Sequence, residues 1–153
     1  MKVNGRWHYL YRAIDRDGNL LDSTLSAQRD KHAARRFLRR LLKSAARKPL
    51  WLTTVKHPAY RKAIRRIVGR KALHRTDQYL NNRTEQSHCP IKQRYYPMLG
   101  FKSFESASRF CTAFDELRNY LKVNETGGEK VSASDRRRIF RDKWTTLLME
   151  LAA

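Results

Sequence analysis

The stretch RWHYLYRAIDRDGNLLDSTLSA (Arg6–Ala27) decides the fold, because it holds two β-strand patterns around one tight turn. Its first part, Arg6 to Ile14, is rich in aromatic and β-branched residues, and Asn19 to Ala27 supplies the next strand. Asp17-Gly18 between them is typical of a hairpin turn, and Asn4-Gly5 is a second such dipeptide. The sequence therefore predicts a β-meander of three strands, of which the first contains only three residues.

After the meander, helical patterns alternate with short apolar runs of strand length. We predict a helix at Asp30–Arg47, a strand at Leu50–Val55, a helix at His57–Gly69, a weak strand at Ala72–Tyr79, and helices at Asn82–Arg94 and Ser103–Lys122. A meander followed by alternating helices and strands is typical of an α/β domain with a mixed sheet and helices on its faces.

Residues 124–153 are predicted to form a linker followed by a helix. Gly127-Gly128 is predicted to lie in a linker, after which Ser134 can cap a final helix. The apolar residues of this helix form one stripe: Ile139, Phe140, Trp144, Leu147, Leu148 and Leu151. The stripe fits packing on the same domain or a role in dimerisation. We place the domain boundary between residues 1–123 and 124–153.

Composition excludes several classes of protein. The chain has 153 residues, of which 41% are hydrophobic, so it can bury a core and is not a disordered basic tail. It has 34 basic and 14 acidic residues, a net charge of +20. Its sequence contains no apolar run long enough for a membrane span and no signal peptide pattern. Two cysteines give no disulfide framework, so we expect a reduced cytoplasmic protein.

The positive charge is concentrated between Arg29 and Lys71, where 16 basic residues face a single acid, Asp30. Such a density predicts contact with an anionic backbone, most commonly that of a nucleic acid, and not the reading of bases. The alternative is a solvated helix face. The candidate phosphate contacts in this segment are Arg35, Arg36, Arg39, Arg40, Lys56, Lys62, Arg65 and Arg66.

One arrangement of polar residues could form a binding site for a cation and a phosphate. On a helix, Glu85, His88 and Lys92 fall on one face, so the first two could share a divalent cation and the lysine could meet a phosphate bound to it. Arg94 follows within the same helix and adds a further cation. The alternative is an ordinary exposed helix with a Glu–Lys face, and the spacing alone leaves both open.

Four stretches together resemble the catalytic domain of Asp-Asp-Glu (DDE) transposases of the bacterial insertion sequence six family. They are VNGRWHYLYRAIDRDGNLLDSTLS (Val3–Ser26), HPAY (His57–Tyr60), YLNNRTEQSHCPIKQR (Tyr79–Arg94) and PMLGFKSFESASRF (Pro97–Phe110). The resemblance implies an RNase H-like fold, a mixed five-stranded sheet with flanking helices, here with a truncated first strand and an extra C-terminal helix. It also implies DNA as the partner, a homo-oligomer, and a bacterial nucleoid-associated location.

The same resemblance implies a site built for Mg²⁺, because the family holds two such ions between three carboxylates. It assigns the third carboxylate to Glu85 and the second to the position of Val55, where this chain has no side-chain oxygen. It places the first carboxylate upstream of Met1. Since one carboxylate cannot hold two Mg²⁺ ions, we expect a transposase-derived DNA-binding protein without strand-transfer activity.

Two other interpretations stay open. The chain could be a repurposed module that binds DNA or an intact transposase without catalysis. It could also be a basic RNA-associated protein, although the Glu85 helix and the GFKSF segment (Gly100–Phe104) argue against that.

Overall fold

The computed structural model of the protein describes residues 1–45, 48–76, 82–123 and 131–152, apart from the side chain of Arg83. Packing divides the chain into two compact units, Met1–Thr112 and Ala113–Ala153. The strands are β1 (Lys2–Val3), β2 (Arg6–Trp7), β3 (Tyr9–Ile14), β4 (Leu20–Ser26), β5 (Trp51–Thr53) and β6 (Leu73–Arg75). The helices are α1 (Lys31–Ser44), α2 (Pro58–Ile67), α3 (Asn82–Tyr95), α4 (Phe104–Leu121) and α5 (Ala133–Ala152).

The predicted hairpin is confirmed as the antiparallel pair β3–β4, in which Tyr9 faces Ser26 and Ala13 faces Asp22. The turn depends on Asp15, whose carboxylate accepts hydrogen bonds from the backbone N–H of Asp17 (2.9 Å) and of Asn19 (2.7 Å). Gly18 adopts a positive φ of 78°, which glycine adopts without steric cost. The Asp-Gly signal therefore places the turn correctly.

The second strand of the meander differs from its prediction, because the run Arg6–Ile14 is interrupted at His8. The backbone N–H of His8 donates to the carbonyl of Met1 (2.7 Å), and the amino group of Met1 donates to the carbonyl of His8 (2.8 Å). β2 pairs with β1 around a turn at Asn4 and Gly5, both at positive φ. The short β1 thus pairs only with the part of the run that precedes His8, and β3 pairs with β4.

Helices α1 and α2 form the main core of the first unit with one face of the hairpin. Asp30 caps α1 by accepting a hydrogen bond from the N–H of Ala33 (2.7 Å), and His57 caps α2 before Pro58. The buried residues of this core are Tyr11, Ala33, Ala34, Phe37, Leu38, Leu41, Ala63, Ile64 and Val68. α1 ends at Ser44, and the predicted end at Arg47 lies outside the described residues.

The opposite face of the hairpin packs against different elements. Leu10 and Leu25 meet Val3, Ala107 and Phe101, so helices and strands cover both faces of β3. The segment that contains Phe101 pairs with β1, because the N–H of Phe101 donates to the carbonyl of Lys2 (3.0 Å). The predicted arrangement of helices on both faces of a sheet is therefore present at the hairpin.

The strands do not join into one sheet in the described residues. β1–β2, β3–β4 and the parallel pair β5–β6 are three separate two-stranded ladders. The α/β class is confirmed, but the five-stranded sheet predicted from the resemblance is not among the described contacts. β3 and β5 are each paired along one edge only, so nothing in the described chain connects the two larger ladders. The end of the weak strand predicted at Ala72–Tyr79 lies outside the described residues.

α3 presents Ser87, Ile91 and Tyr95 to the interior, four residues apart along one face. The hydroxyl of Tyr95 accepts a hydrogen bond from the backbone N–H of Lys2, which ties the end of α3 to β1. Pro90 lies inside this helix and has no N–H to donate to the carbonyl of Gln86. The segment of α3 after Pro90 is thus tied to β1, and the segment before Pro90 lacks one backbone hydrogen bond.

The second unit contains the end of α4 and all of α5. The cap of α5 is Ser132 and not Ser134 as predicted: the hydroxyl of Ser132 accepts the N–H of Asp135 (3.1 Å) and donates to its carboxylate (2.7 Å). Ser132 and Asp135 have the three-residue spacing of a capping box, which Ser134 lacks. The predicted linker at Gly127-Gly128 lies outside the described residues. None of the described helices is long and apolar enough to cross a membrane.

We predict that Ile64→Ala destabilises the first unit by about 2–5 kcal/mol, because Ile64 is 1% exposed at the centre of the α1–α2 core. Urea unfolding followed by circular dichroism measures this change. Leu50→Ala is the matched control, because Leu50 is 80% exposed and its truncation should change stability by less than about 0.5 kcal/mol. Equal losses for the two variants would contradict the described core.

Candidate nucleic-acid interface and the Glu85 helix

The basic surface of the first unit is carried by α1 and α2. Their apolar faces pack against each other, so their charged residues are left on the outside. The predicted contacts that are exposed are Arg36, Arg39, Arg40, Lys56, Lys62, Arg65 and Arg66, with Lys92 and Arg94 on α3. The arrangement brings the cations of both helices onto the outer surface of a single core.

Arg40 differs from its neighbours because it has an acidic partner that the local sequence does not reveal. Its Nε donates to the carboxylate of Asp22 (2.9 Å), and its terminal nitrogen donates to the same carboxylate and to the carbonyl of Ser23. This hydrogen bond to Asp22 raises the pKa of Arg40. The charge of Arg40 is therefore partly compensated by β4, which makes it less available to a phosphate than Arg36 or Arg39.

Arg35 lies half-buried on the same helix. Its Nε is buried and makes no hydrogen bond within the described residues. A buried donor without an acceptor costs about 1–3 kcal/mol. A phosphate oxygen at the rim of the core would supply an acceptor at this position.

On α3 the three residues that the sequence placed on one face differ in their exposure. Glu85 and Lys92 are exposed, whereas His88 is half-buried beside the inward residue Ser87. Burial lowers the pKa of His88 to about 4, and the positive charges of Arg12 and Lys92 add to this effect. His88 is therefore a neutral imidazole at pH 7, and it cannot attract a phosphate as a cation.

Val55 lies just after β5, at the position where the resemblance expects the second carboxylate. Its side chain is half-buried, and its carbonyl oxygen accepts hydrogen bonds from the N–H of His57 (2.7 Å) and from the hydroxyl of Thr54 (3.1 Å). Thr54 also contacts Nε2 of His74 on the neighbouring strand (2.8 Å). Burial lowers the pKa of His74, and Arg61 adds to the effect. The side chains of Thr54 and His74 at this end of β5 are therefore uncharged at pH 7.

The residues present do not fit a two-ion Mg²⁺ centre. Among the described residues, no three His, Cys, Asp or Glu side chains lie close enough to hold a metal ion. The nearby acids have other roles, since Asp15 holds the hairpin turn and Asp22 binds Arg40. Magnesium requires oxygen ligands, and Val55 offers none from its side chain.

Sequence reasoning missed two residues of this region. Arg12 is buried in β3 although it carries a charge, and it faces α3, where it influences His88. His74 contacts Thr54 across the parallel pair. The signal for Arg12 was its position between Tyr11 and Ala13 in an apolar strand, where a charged residue is unusual.

Comparison with known proteins finds a matching family model and several similar proteins. A family model described as a DDE domain matches residues 1–124. The transposase for insertion sequence-like element IS431mec of Staphylococcus aureus is 42% identical over 98 residues, which are 61% of this chain and 43% of that protein. The transposase for insertion sequence element IS257 in transposon Tn4003, also from Staphylococcus aureus, gives the same values. An uncharacterized protein of Yersinia pseudotuberculosis, pYV0051, is 46% identical over 70 residues, which are 44% of this chain and 65% of that protein.

The extent of these matches is limited. The matched part of the chain spans less than half the length of the Staphylococcus aureus relatives. No solved structure matches the chain. Residues after 124, including all of α5, lie outside the matched family domain.

We predict that stability falls as the pH decreases from about 6.5 to about 4, because His88 has a lower pKa in the folded protein than in the unfolded chain. In this window the unfolded state binds more protons, and one such group gives a slope of up to about 1.4 kcal/mol per pH unit. His88→Gln should reduce the slope, measured by urea unfolding at several pH values. An NMR titration that places the pKa of His88 near 6.5 would contradict the described burial.

Proposed function

The chain belongs to the DDE transposases of the insertion sequence six family, and from this premise we propose that it binds the phosphate backbone of DNA through α1 and α2 and lacks strand-transfer activity. The observation that carries the binding proposal is the exposed basic surface of α1 and α2. The observation that carries the second part is Val55 at the end of β5.

The binding proposal rests on uncompensated charge. Sixteen basic residues between Arg29 and Lys71 are accompanied by one acid in that segment, and Asp22 compensates Arg40 from outside it. Phosphates relieve the remaining repulsion and release counterions, which provides a favourable free energy of binding at low salt. No pattern of side chains suited to reading base edges accompanies this surface, so backbone contact is the mode that we propose.

We further propose that the fold is RNase H-like. The antiparallel hairpin β3–β4 and the parallel pair β5–β6 are both components of a mixed sheet, and helices cover both faces of the hairpin. A strand placed between β3 and β5 would join the two ladders into one sheet, because each of them has a free edge in the described residues.

The family suggests the use of a divalent metal, but the ligands of this chain support only a reduced role for one. Glu85 is exposed on the first turn of α3 and is the carboxylate that we assign to the metal site. With valine at position 55, the carboxylate that would offset the repulsion between two adjacent Mg²⁺ ions at that position is missing. We therefore do not include the activation of a water or a 3′-hydroxyl by two metal ions in the proposed function.

We predict that Arg36→Gln/Arg39→Gln weakens binding to duplex DNA and reduces the slope of log K against log salt by about 2. Both residues are exposed on α1, and in the described residues neither forms an ion pair like the one between Arg40 and Asp22. Fluorescence anisotropy at about 50–200 mM salt measures the slope.

The matched control is Lys102→Gln/Arg109→Gln, which removes two exposed charges of the first unit outside α1 and α2. We expect this control to change the slope less. Equal slopes for the two double variants would mean that total charge, and not the α1–α2 surface, determines binding.

We predict that the unmodified chain does not nick DNA in Mg²⁺ and that Val55→Asp increases its affinity for Mn²⁺, used as the probe, by about tenfold or ~1.4 kcal/mol. The added carboxylate would share the cation with Glu85. Isothermal titration with Mn²⁺ measures the change, and Val55→Asp/Glu85→Gln should abolish it. Mg²⁺-dependent nicking by the unmodified chain that Glu85→Gln removes would contradict the proposal.

A further inference from the structure

The parallel ladder β5–β6 has one face on the core and one face open to solvent. Leu52 packs against the α1–α2 core, so the alternation of side chains along a strand places Trp51 on the opposite face. Leu73 is the register partner of Trp51 and lies on the same side, and the two residues are 52% and 60% exposed. We call the side formed by Trp51, Leu73 and Arg75 the outer face of the ladder.

Arg75 holds the indole of Trp51 from one side. Its guanidinium carbon lies over the ring, 5.6 Å from the ring centre. Arg75 follows Leu73 by two residues on β6, so it reaches Trp51 diagonally across the ladder. A guanidinium is attracted to the face of an indole, and the contact restrains the ring in one orientation. Because most of the surface of Trp51 stays exposed, the ring can still accept a second planar group.

The described segment 48–76, which includes both strands, carries only positive charge. It contains nine basic residues and no acidic residue. Lys48 and Lys71 are exposed and lie just before β5 and β6. Since the two strands are parallel, both lysines lie at the end of the ladder that also carries Trp51. The outer face therefore favours an anionic partner that has a flat apolar surface of its own.

A single strand of nucleic acid combines these two properties in every nucleotide, because each one joins an aromatic ring system to a phosphate. In a duplex the bases are stacked on one another, so a protein surface of this kind meets mainly phosphates. An unpaired base can instead turn outward and stack on an aromatic side chain. An acidic peptide would match the charge but would not offer a ring beside each anion.

We propose that Trp51 is a stacking platform for an unpaired base of single-stranded DNA. Arg75 is a positioning residue that holds the indole, and the cations at the start of the ladder neutralise the adjacent phosphates. The inference rests on the proposed binding of DNA and adds a second mode to it, in which α1 and α2 bind the backbone and the outer face binds unpaired bases. Every base has a π-face, so the platform tolerates any sequence.

The first unit offers a matched control in Trp7. This residue is 59% exposed, and the Nζ of Lys2 lies 5.5 Å from its ring centre, so its exposure and its cation contact resemble those of Trp51. Its surroundings differ in charge, since residues 1–28 contain four basic and three acidic residues. A comparison of the two tryptophans therefore separates the outer face from the mere exposure of an indole.

Fluorescence anisotropy of the full chain with a labelled single-stranded DNA of mixed sequence, and with the corresponding duplex, tests this proposal. We expect Trp51→Leu to weaken binding of the single strand by roughly tenfold and binding of the duplex by less than about twofold. Trp51→Phe should retain most of the affinity because it keeps a π-face, and Trp7→Leu should change neither affinity. Equal effects of Trp51→Leu and Trp7→Leu, or equal losses on single strand and duplex, would overturn the proposal.

The salt dependence separates the stacking platform from the α1–α2 surface. Stacking releases no counterions, so Trp51→Leu should lower log K by the same amount at every salt concentration, whereas Arg36→Gln/Arg39→Gln reduces the slope. Salt-dependent duplex binding with single-strand binding that Trp51→Leu leaves unchanged would overturn the platform alone. A chain that binds no duplex at any salt concentration would overturn the α1–α2 proposal, and the single-strand measurements would still decide the platform.

Indole fluorescence provides a readout that does not depend on affinity. In the variant Trp7→Phe/Trp144→Phe the remaining tryptophan is Trp51, and a base stacked on it should quench its emission. We expect quenching by saturating single-stranded DNA and much less by duplex DNA. Unchanged emission at saturation would contradict the platform. A blue shift with anionic lipid vesicles, without quenching by the single strand, would assign the outer face to a membrane surface instead.

Discussion

The close packing of α1 against α2 is the constraint on which the first unit depends. Ala34 and Ala63 are completely buried, so small side chains lie where α1, α2 and the hairpin pack together. This core uses the apolar residues of both helices, and their numerous cations are consequently left on the outside. The basic surface is thus a consequence of the core packing, because the same helical periodicity places the apolar residues inside and the basic residues outside.

Much of the fold could be predicted from the sequence because its signals are local. The Asp17-Gly18 turn and the starts of α1 and α2 near Asp30 and His57 each depend on a few neighbouring residues, and each lies where we expected it. The break at His8 could not be predicted, because it depends on hydrogen bonds to Met1. Nor could the separation into three ladders, since strand pairing is a long-range property.

The candidate site was less predictable, because helix spacing gives neighbours but not which side faces the core. Glu85, His88 and Lys92 have the spacing of one face, yet α3 buries Ser87, Ile91 and Tyr95, and this rotation draws His88 inward. Asp22 is 18 residues from Arg40, so the pairing that reduces its charge is invisible in any local window. In both cases, tertiary packing and not the local pattern determines the electrostatics.

Pro90 divides α3 into two segments that differ in how readily their backbone hydrogen bonds open. The turns after Pro90 are held by Ile91 and by the bond between Tyr95 and Lys2, whereas the turn that carries Glu85 lacks the backbone bond from residue 90 to Gln86. The amide protons of the first turns should therefore exchange with solvent before those of the later turns. Glu85, the carboxylate that we propose for the metal site, is carried by the segment of α3 that precedes Pro90 and lacks this backbone bond.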